Sequence, residues 1–272
     1  MQWIPLAAPL NVLPPNPMTM RVQSIPPQHQ FSDHFHHWNQ MVYAISGVLT
    51  VVAEGRSFLI SPSQAAWLPT GNVHRVGSLL GAEFRSVWVR DDLGESLFSG
   101  GVAVFAVSPL LKALIIEAAG LDIKRDADGY RDRVFQLIID QLRRADPVAS
   151  ALPWPISEGL TKLCQELFEN PADQRGIEEW GNTLGMSGRT LARRFHAETG
   201  TSLRSWRRRL RLFRAIELLE SGMGVTATAI ELGYSSVSAF TYAFRTEMKG
   251  SPRTYQSGAA RGHAHGAKGR VP

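Results

Sequence analysis

From Met41 to Arg90 the apolar residues come in short, β-rich runs separated by turn residues, and no stretch keeps a helical period for long. The pattern predicts strands over Met41–Ile45, Val48–Ala53, Ser57–Ile60, Ala65–Leu68 and Phe84–Val89. Turns fall at Ser46-Gly47, Glu54-Gly55, Pro69-Thr70-Gly71 and Gly77 to Gly81. Strands spaced this closely suggest a sandwich or a small barrel. The period then changes. Ser108 is placed to cap a helix starting at Pro109, with Leu110, Leu111, Leu114, Ile115 and Ala118 on its apolar face and Gly120 as its stop. A second helix, about Arg131 to Ala145, carries Val134, Phe135, Ile138, Ile139 and Leu142 on one side.

Asp146 to Pro155, with its prolines and small residues, reads as a linker. Helical patterning fills the chain beyond it. A helix over Ile156 to Phe168 places Cys164 on its apolar face, and Ile177 to Leu184 forms another. Two helix-turn-helix patterns then succeed each other. The first runs Leu184-Gly185-Met186-Ser187, then Leu191 and Phe195, closing on Glu198-Thr199-Gly200. The second runs Leu232-Gly233-Tyr234-Ser235-Ser236, then Phe240 and Phe244. In each, a helix ends in Leu-Gly, a Ser caps the next helix, and apolar residues four apart pin that helix to a core. Gly181 and Ala229 fall where the two helices of each motif approach closely, so small residues are needed there. A chain that repeats this unit is built to read double-stranded DNA.

The expected fold is therefore mixed α and β. It comprises an N-terminal arm (1–27), a barrel (28–105), a helical connector (106–150), an all-α domain with both motifs (156–256) and a disordered tail rich in Gly, Ala and His (257–272). The connector's apolar faces either pack on the barrel or pair with a second subunit, and the sequence leaves both open. Charge follows the same division. Residues 1–150 hold 12 Lys and Arg against 13 Asp and Glu, whereas the rest holds 17 against 11. The basic surplus lies in the half that carries the motifs, as expected if only that half meets phosphate. With no apolar run long enough for a bilayer, and a Pro-rich start unlike a signal peptide, a soluble cytoplasmic protein without membrane partner is expected.

On the first recognition helix Gly188, Arg189, Ala192, Arg193 and His196 should point outward. Arginine pairs with guanine through two parallel hydrogen bonds, so Arg189 and Arg193 are the leading base readers, with Ala192 beside them. On the second, Val237, Ser238, Thr241 and Tyr242 face outward, and Thr and Val can touch a thymine methyl. The second helix is expected mainly to position the protein. Ser187, Ser236, Arg204, Arg208 and Arg245 are candidates for phosphate. Between the motifs, Leu203 to Leu219 forms one helix with Leu203, Trp206, Leu210, Phe213 and Ile216 inside and Arg204, Arg207, Arg208, Arg209, Arg211 and Arg214 on its other faces.

In the barrel, His34-Phe35-His36 is followed by Gln40 and Gly47, and later by Pro69-Thr70-Gly71-Asn72-Val73-His74. If His34 and His36 lie on a strand, both look into the barrel. This spacing resembles the two cupin motifs, with Gln40 where that family usually has Glu, and with Ser63 and Ser78 where Gly and Asn are usual. In metal-dependent cupins the matching positions, here His34, His36, Gln40 and His74, hold a divalent ion, and three imidazoles suit zinc, iron, nickel or manganese. The alternative is an effector pocket, since a neutral amide oxygen is a poorer ligand than a carboxylate. Trp38, Trp67 and Trp88 read as core.

Barrel, connector and doubled motif together resemble the AraC/XylS family of bacterial transcription regulators. The most specific residues are Gly233-Tyr234-Ser235-Ser236, Ala239-Phe240, Phe244-Arg245, Ser251-Pro252 and Tyr255. Lys249 stands where the family usually has Gly. Arg211-Leu212, Ala215, Leu218-Leu219 and His36 to Gln40 look closest to a NimR-like branch, which often controls efflux transporters. The resemblance implies a barrel that senses a small-molecule effector and a C-terminal module that binds promoter DNA, with RNA polymerase and a homodimer mate as further candidate partners. A metal-dependent cupin enzyme fused to a DNA-binding module is the competing reading, and a nucleoid protein a third.

Overall fold

The computed structural model describes residues 3–7, 14–94, 97–121, 128–147, 152–248 and 250–254, in two compact units, 1–151 and 152–272. In the first unit, strands β1 (Ile4–Leu6), β2 (Met18–Ile25), β3 (His29–Phe31), β4 (Asn39–Gly47), β5 (Leu49–Ala53), β6 (Arg56–Ile60), β7 (Gln64–Leu68), β8 (His74–Ser78), β9 (Ala82–Val89) and β10 (Ala103–Ala106) form two sheets. One has the order β10-β7-β4-β9-β2, and the other runs β1-β3-β8-β5-β6 within this unit.

β4 is buried on both faces because each meets a different core. Val42 and Ala44 point between the sheets with Phe31, Leu49, Val51, Ala66 and Phe84. Met41 and Tyr43 point outward to meet helices α2 (Pro109–Gly120) and α3 (Tyr130–Arg143), which follow the short α1 (Asp91–Gly94). Leu111, Leu114, Ile115 and Ala118 of α2 and Val134, Phe135, Ile138, Ile139 and Leu142 of α3 share one core with Trp67, Val87 and Val89. Most of the connector's apolar face is therefore packed on the barrel, but Leu110, placed on that face by the sequence, is 52% exposed, and Ile116 and Leu137 are exposed as well. Each such fully buried Leu, Ile or Phe is worth about 1.5–3 kcal/mol, so the helices belong to the barrel unit. Ser108 caps α2 as its sequence predicts, its Oγ accepting the N–H of Leu111 at 3.0 Å.

Three expectations need correction. The arm set at 1–27 contains β2, which pairs with β9 along its whole length from Met18↔Val89 to Ile25↔Ala82. Its inward side carries Arg21 and Gln23, so the apolar alternation that marks a strand is missing. Gly77 belongs to β8 rather than to a turn. A side chain there would lie 2.7 Å from the His29 carbonyl, so glycine marks a close approach of β8 to β3. Lastly, His34 and His36 lie in the loop between β3 and β4, where His34 makes an isolated bridge with His74.

The second unit starts earlier than expected, with the short strand β11 (Leu152–Trp154) inside the expected linker. Trp154 is buried, with its ring 5.5 Å from that of Trp206, whose Nε1 donates to the Pro153 carbonyl at 2.6 Å. Helices α4 (Glu158–Glu169), α5 (Ile177–Thr183), α6 (Gly188–Thr199), α7 (Leu203–Glu220), α8 (Val225–Glu231) and α9 (Val237–Met248) complete the unit. Cys164 is fully buried on α4, and burial raises its thiol pKa well above the ordinary value. The tail over 257–272, with Tyr255 and Lys249, lies outside the described residues. Among the described residues no helix is long and apolar enough to cross a membrane.

Candidate DNA-reading surface and barrel pocket

The first motif is held by contacts its sequence makes possible. Gly185 takes a left-handed φ of 68° after α5. Ser187 then caps α6, its Oγ accepting the N–H of Thr190 at 3.2 Å. Gly181 is required as expected, since a side chain there would sit 2.6 Å from the Met186 carbonyl and 2.9 Å from the Gly188 nitrogen. Leu191 and Phe195 are fully buried, whereas Arg189, Ala192, Arg193 and His196 are exposed. Gly188 is a correction: it is buried, because the Glu178 carboxylate covers it. Sequence reasoning also missed Glu198, which accepts the N–H groups of Ile156 and Ser157 at 2.9 Å each and ties α6 to the start of α4.

In the second motif Ser236 Oγ accepts the N–H of Ala239 at 3.1 Å, with Phe240 and Phe244 fully buried behind it. Val237, Ser238, Thr241, Tyr242 and Arg245 line one shallow concavity, together with Thr246. Tyr242 is 76% exposed, a large ring with no core role. The capping hydroxyls accept backbone N–H groups, which leaves the Ser236 O–H free to donate.

α7 rises along about 27 Å and packs Leu212, Ala215, Ile216 and Leu219 against α8 and α9. Its arginines are mostly engaged within the protein. Arg207 donates to the carbonyls of Arg175 (2.6 Å) and Asp173, Arg211 donates to that of Pro171 at 2.8 Å, and Arg214 pairs with Glu217. Burial lowers the Arg207 pKa, and Arg211 alongside lowers it further. Arg208 pairs with Glu247. Arg204 is exposed, and among the described residues no hydrogen bond or ion pair holds it. Arg204, Arg208, Ala192 and His196 line one cleft between α6 and α7, which brings base-reading and phosphate candidates onto a common surface.

In the barrel the sequence-predicted histidines do come together. The His34 and His74 rings are 4.3 Å apart, and His36 is 5.1 Å from His74. Each Nδ1 is tied to a backbone carbonyl: His34 to Ser32 (2.8 Å), His36 to Trp38 (2.7 Å) and His74 to Asn72 (2.8 Å). These bonds fix the Nδ1–H tautomer and turn Nε2 inward. Burial lowers the His36 pKa, and it pushes His74 down to about 3. His36 Nε2 lies 2.8 Å from the Gln40 side-chain oxygen, and Gln40 also reaches Ser86 Oγ at 2.6 Å. With His36 neutral, the Gln40 amide must be turned so that its NH2 donates to Nε2 and its oxygen accepts from Ser86.

This donor set does not fit a divalent ion. His36 is already bonded to Gln40, no carboxylate completes the set, and among the described residues no three His, Cys, Asp or Glu side chains form a metal-holding group. The pocket is lined by Arg21, Gln23, Phe31, His34, His36, Gln40, Val76, Phe84, Ser86 and Trp88. The free space between these side chains is narrow, on the order of one or two water molecules. Trp67 and Trp88 are core as expected, while Trp38 is half-buried and stacks on His36 at 5.0 Å.

Comparison with known proteins respects the same division. The helix-turn-helix domain family matches residues 180–258 and the cupin domain family residues 21–90. The HTH-type transcriptional regulator NimR of Escherichia coli (strain K12) is 27% identical over 222 residues, 82% of this chain and 81% of that protein. The HTH-type transcriptional regulator RipA of Corynebacterium glutamicum is 33% identical over 120 residues, 44% of this chain and 36% of that one. Among solved structures, a DNA-binding transcriptional dual regulator from Escherichia coli K-12 is 28% identical and covers 39% of this chain and 96% of its own, with a TM-score of 0.36. Both family matches fall on the units described above, and the chain is an AraC-family DNA-binding transcriptional regulator with a cupin N-terminal domain.

Proposed function

We propose that this regulator reads promoter DNA mainly through Arg189, Ala192 and Arg193, that Val237, Ser238, Thr241 and Tyr242 make the second, weaker base contact, and that its barrel senses a small molecule. The observation that carries the DNA reading is the placement of two exposed arginines one turn apart on α6, opposite the fully buried Leu191 and Phe195. Ser187, Ser236, Arg204, Arg208 and Arg245 position the backbone, with Arg208 shared between Glu247 and phosphate. The barrel pocket of His34, His36 and Gln40, with His74 behind it, supports the sensing role. Control of a transporter or efflux gene rests on the branch resemblance alone; a homodimer and a contact with RNA polymerase rest on the family resemblance, and a cytoplasmic location goes with the proposed binding to promoter DNA.

Selection of genomic fragments by the full chain at near-physiological salt, beside an Arg189→Ala, Arg193→Ala double variant, tests the reading. Recovery of a few promoter fragments by the wild type alone is the expected result. Indiscriminate recovery by both would indicate an architectural protein instead.

A further inference from the structure

Among the described residues, the barrel wall holds a cation with no carboxylate partner. Arg21 stands on β2 opposite Ser86 of β9, with its guanidinium 4.9 Å from the centre of the Trp88 ring and its side chain lining the pocket beside His34 and His36. Arg56, Arg75, Arg85 and Arg90 of the same unit each face a carboxylate. Among the described residues Arg21 has neither a hydrogen bond nor an ion pair, and the pocket lining contains no Asp or Glu. Burial lowers the Arg21 pKa with no opposing contribution, so the charge is partly desolvated and uncompensated. A guanidinium fork fits a carboxylate through two parallel hydrogen bonds, which would supply the missing partner. Phe31, Phe84 and Val76 make one part of the wall apolar, beside the neutral polar groups of Gln23, Gln40 and Ser86.

We propose that the barrel pocket binds a small aliphatic carboxylate of about formate or acetate size, taking the place of the one or two waters the space can hold, with its charged end on Arg21 above Trp88 and any methyl group toward Phe31, Phe84 and Val76. This deepens the sensor reading and rests on it. The histidines then serve as neutral walls and hydrogen-bonding groups. The contact with the Trp88 ring uses none of the guanidinium N–H donors, which have no acceptor among the described residues.

The test is a thermal-shift and tryptophan-fluorescence titration of the full chain with formate, acetate and propionate, their uncharged amides, arabinose and glucose, and inorganic phosphate and sulfate. Saturable binding of at least one carboxylate, absent for its amide, is the expected result. Arg21→Gln should weaken that binding by about 10- to 100-fold, the range for a lost charge-assisted hydrogen bond. Arg21→Lys, which keeps the charge, should bind more tightly than Arg21→Gln. Carboxylate binding unchanged in Arg21→Gln, or equal for the two variants, overturns the assignment. Equal binding of phosphate or sulfate overturns the organic ligand. Binding of amides or sugars alone overturns the anion while leaving the sensor in place, and binding of none of these compounds counts against both.

Discussion

The carboxylate of Glu178, on the leading helix of the first motif, accepts the backbone N–H of Gly188 at 3.1 Å, the first residue of the recognition helix. The contact satisfies an orphan donor at the N-terminus of α6 and places a negative charge where the helix dipole favours it.

Gly188→Ala and Gly181→Ala should therefore differ in cost. At 188 the new methyl would lie 2.4 Å from the Glu178 carboxylate, the mobile end of a side chain that can swing away, so the loss is about 1 kcal/mol. At 181 it would lie 2.6 Å from the Met186 carbonyl, which is backbone, and about 1–3 kcal/mol is expected. Urea unfolding of the two variants checks the order, and equal costs would contradict it.

Arg189→Ala and Arg193→Ala should each relax base preference at one defined position by about 1–3 kcal/mol. Binding to a panel of single-base operator variants reads this directly. An equal loss on every sequence would make both residues phosphate contacts.

Two arginines three positions apart on α7 should behave in opposite ways. Arg204→Ala removes a free exposed cation, so the slope of log binding constant against log salt should fall by about one, equally for all sequences. Arg207→Ala removes two bonds to backbone carbonyls and should lower unfolding stability by about 1–3 kcal/mol. Its salt slope should stay at the wild-type value, which salt-titrated binding would show.

The barrel should lose stability in mild acid. His74 is held down to about 3 by burial first, with the charges of His34 and His36 adding to the effect and the bond to Asn72 opposing it. An unfolded histidine titrates near 6.5, so between these values the unfolded chain binds the extra proton. Stability is thus full above about pH 6.5 and falls as pH drops toward 3, by about 2 kcal/mol at pH 5. His36, lowered in the same direction, adds to the loss. His74→Phe should flatten the dependence of the urea midpoint between pH 7 and pH 5, and an unchanged dependence would place the effect elsewhere.

The helix-turn-helix motifs were legible in the sequence because their signals are local. Ser187 and Ser236 cap helices within three residues of themselves, and Leu191 with Phe195, or Phe240 with Phe244, share a face through helical geometry alone. The four histidine-site residues were legible too, as a spacing. Tertiary structure decided what depends on partners far along the chain. β2 carries polar residues inward, so its strand character shows only when β9 pairs with it and turns Arg21 and Gln23 into the pocket. Six arginines on α7 look alike in sequence, yet carbonyls at Pro171, Asp173 and Arg175 engage Arg207 and Arg211 while Arg204 meets none of them. The connector's apolar stripes fit either a barrel or a mate, and the outward faces of Met41, Tyr43 and Trp67 take up most of them while Leu110, Ile116 and Leu137 stay exposed. Local propensity and periodicity fix which segments form helices, whereas strand pairing and side-chain partnership are long-range choices that no single stretch of sequence contains.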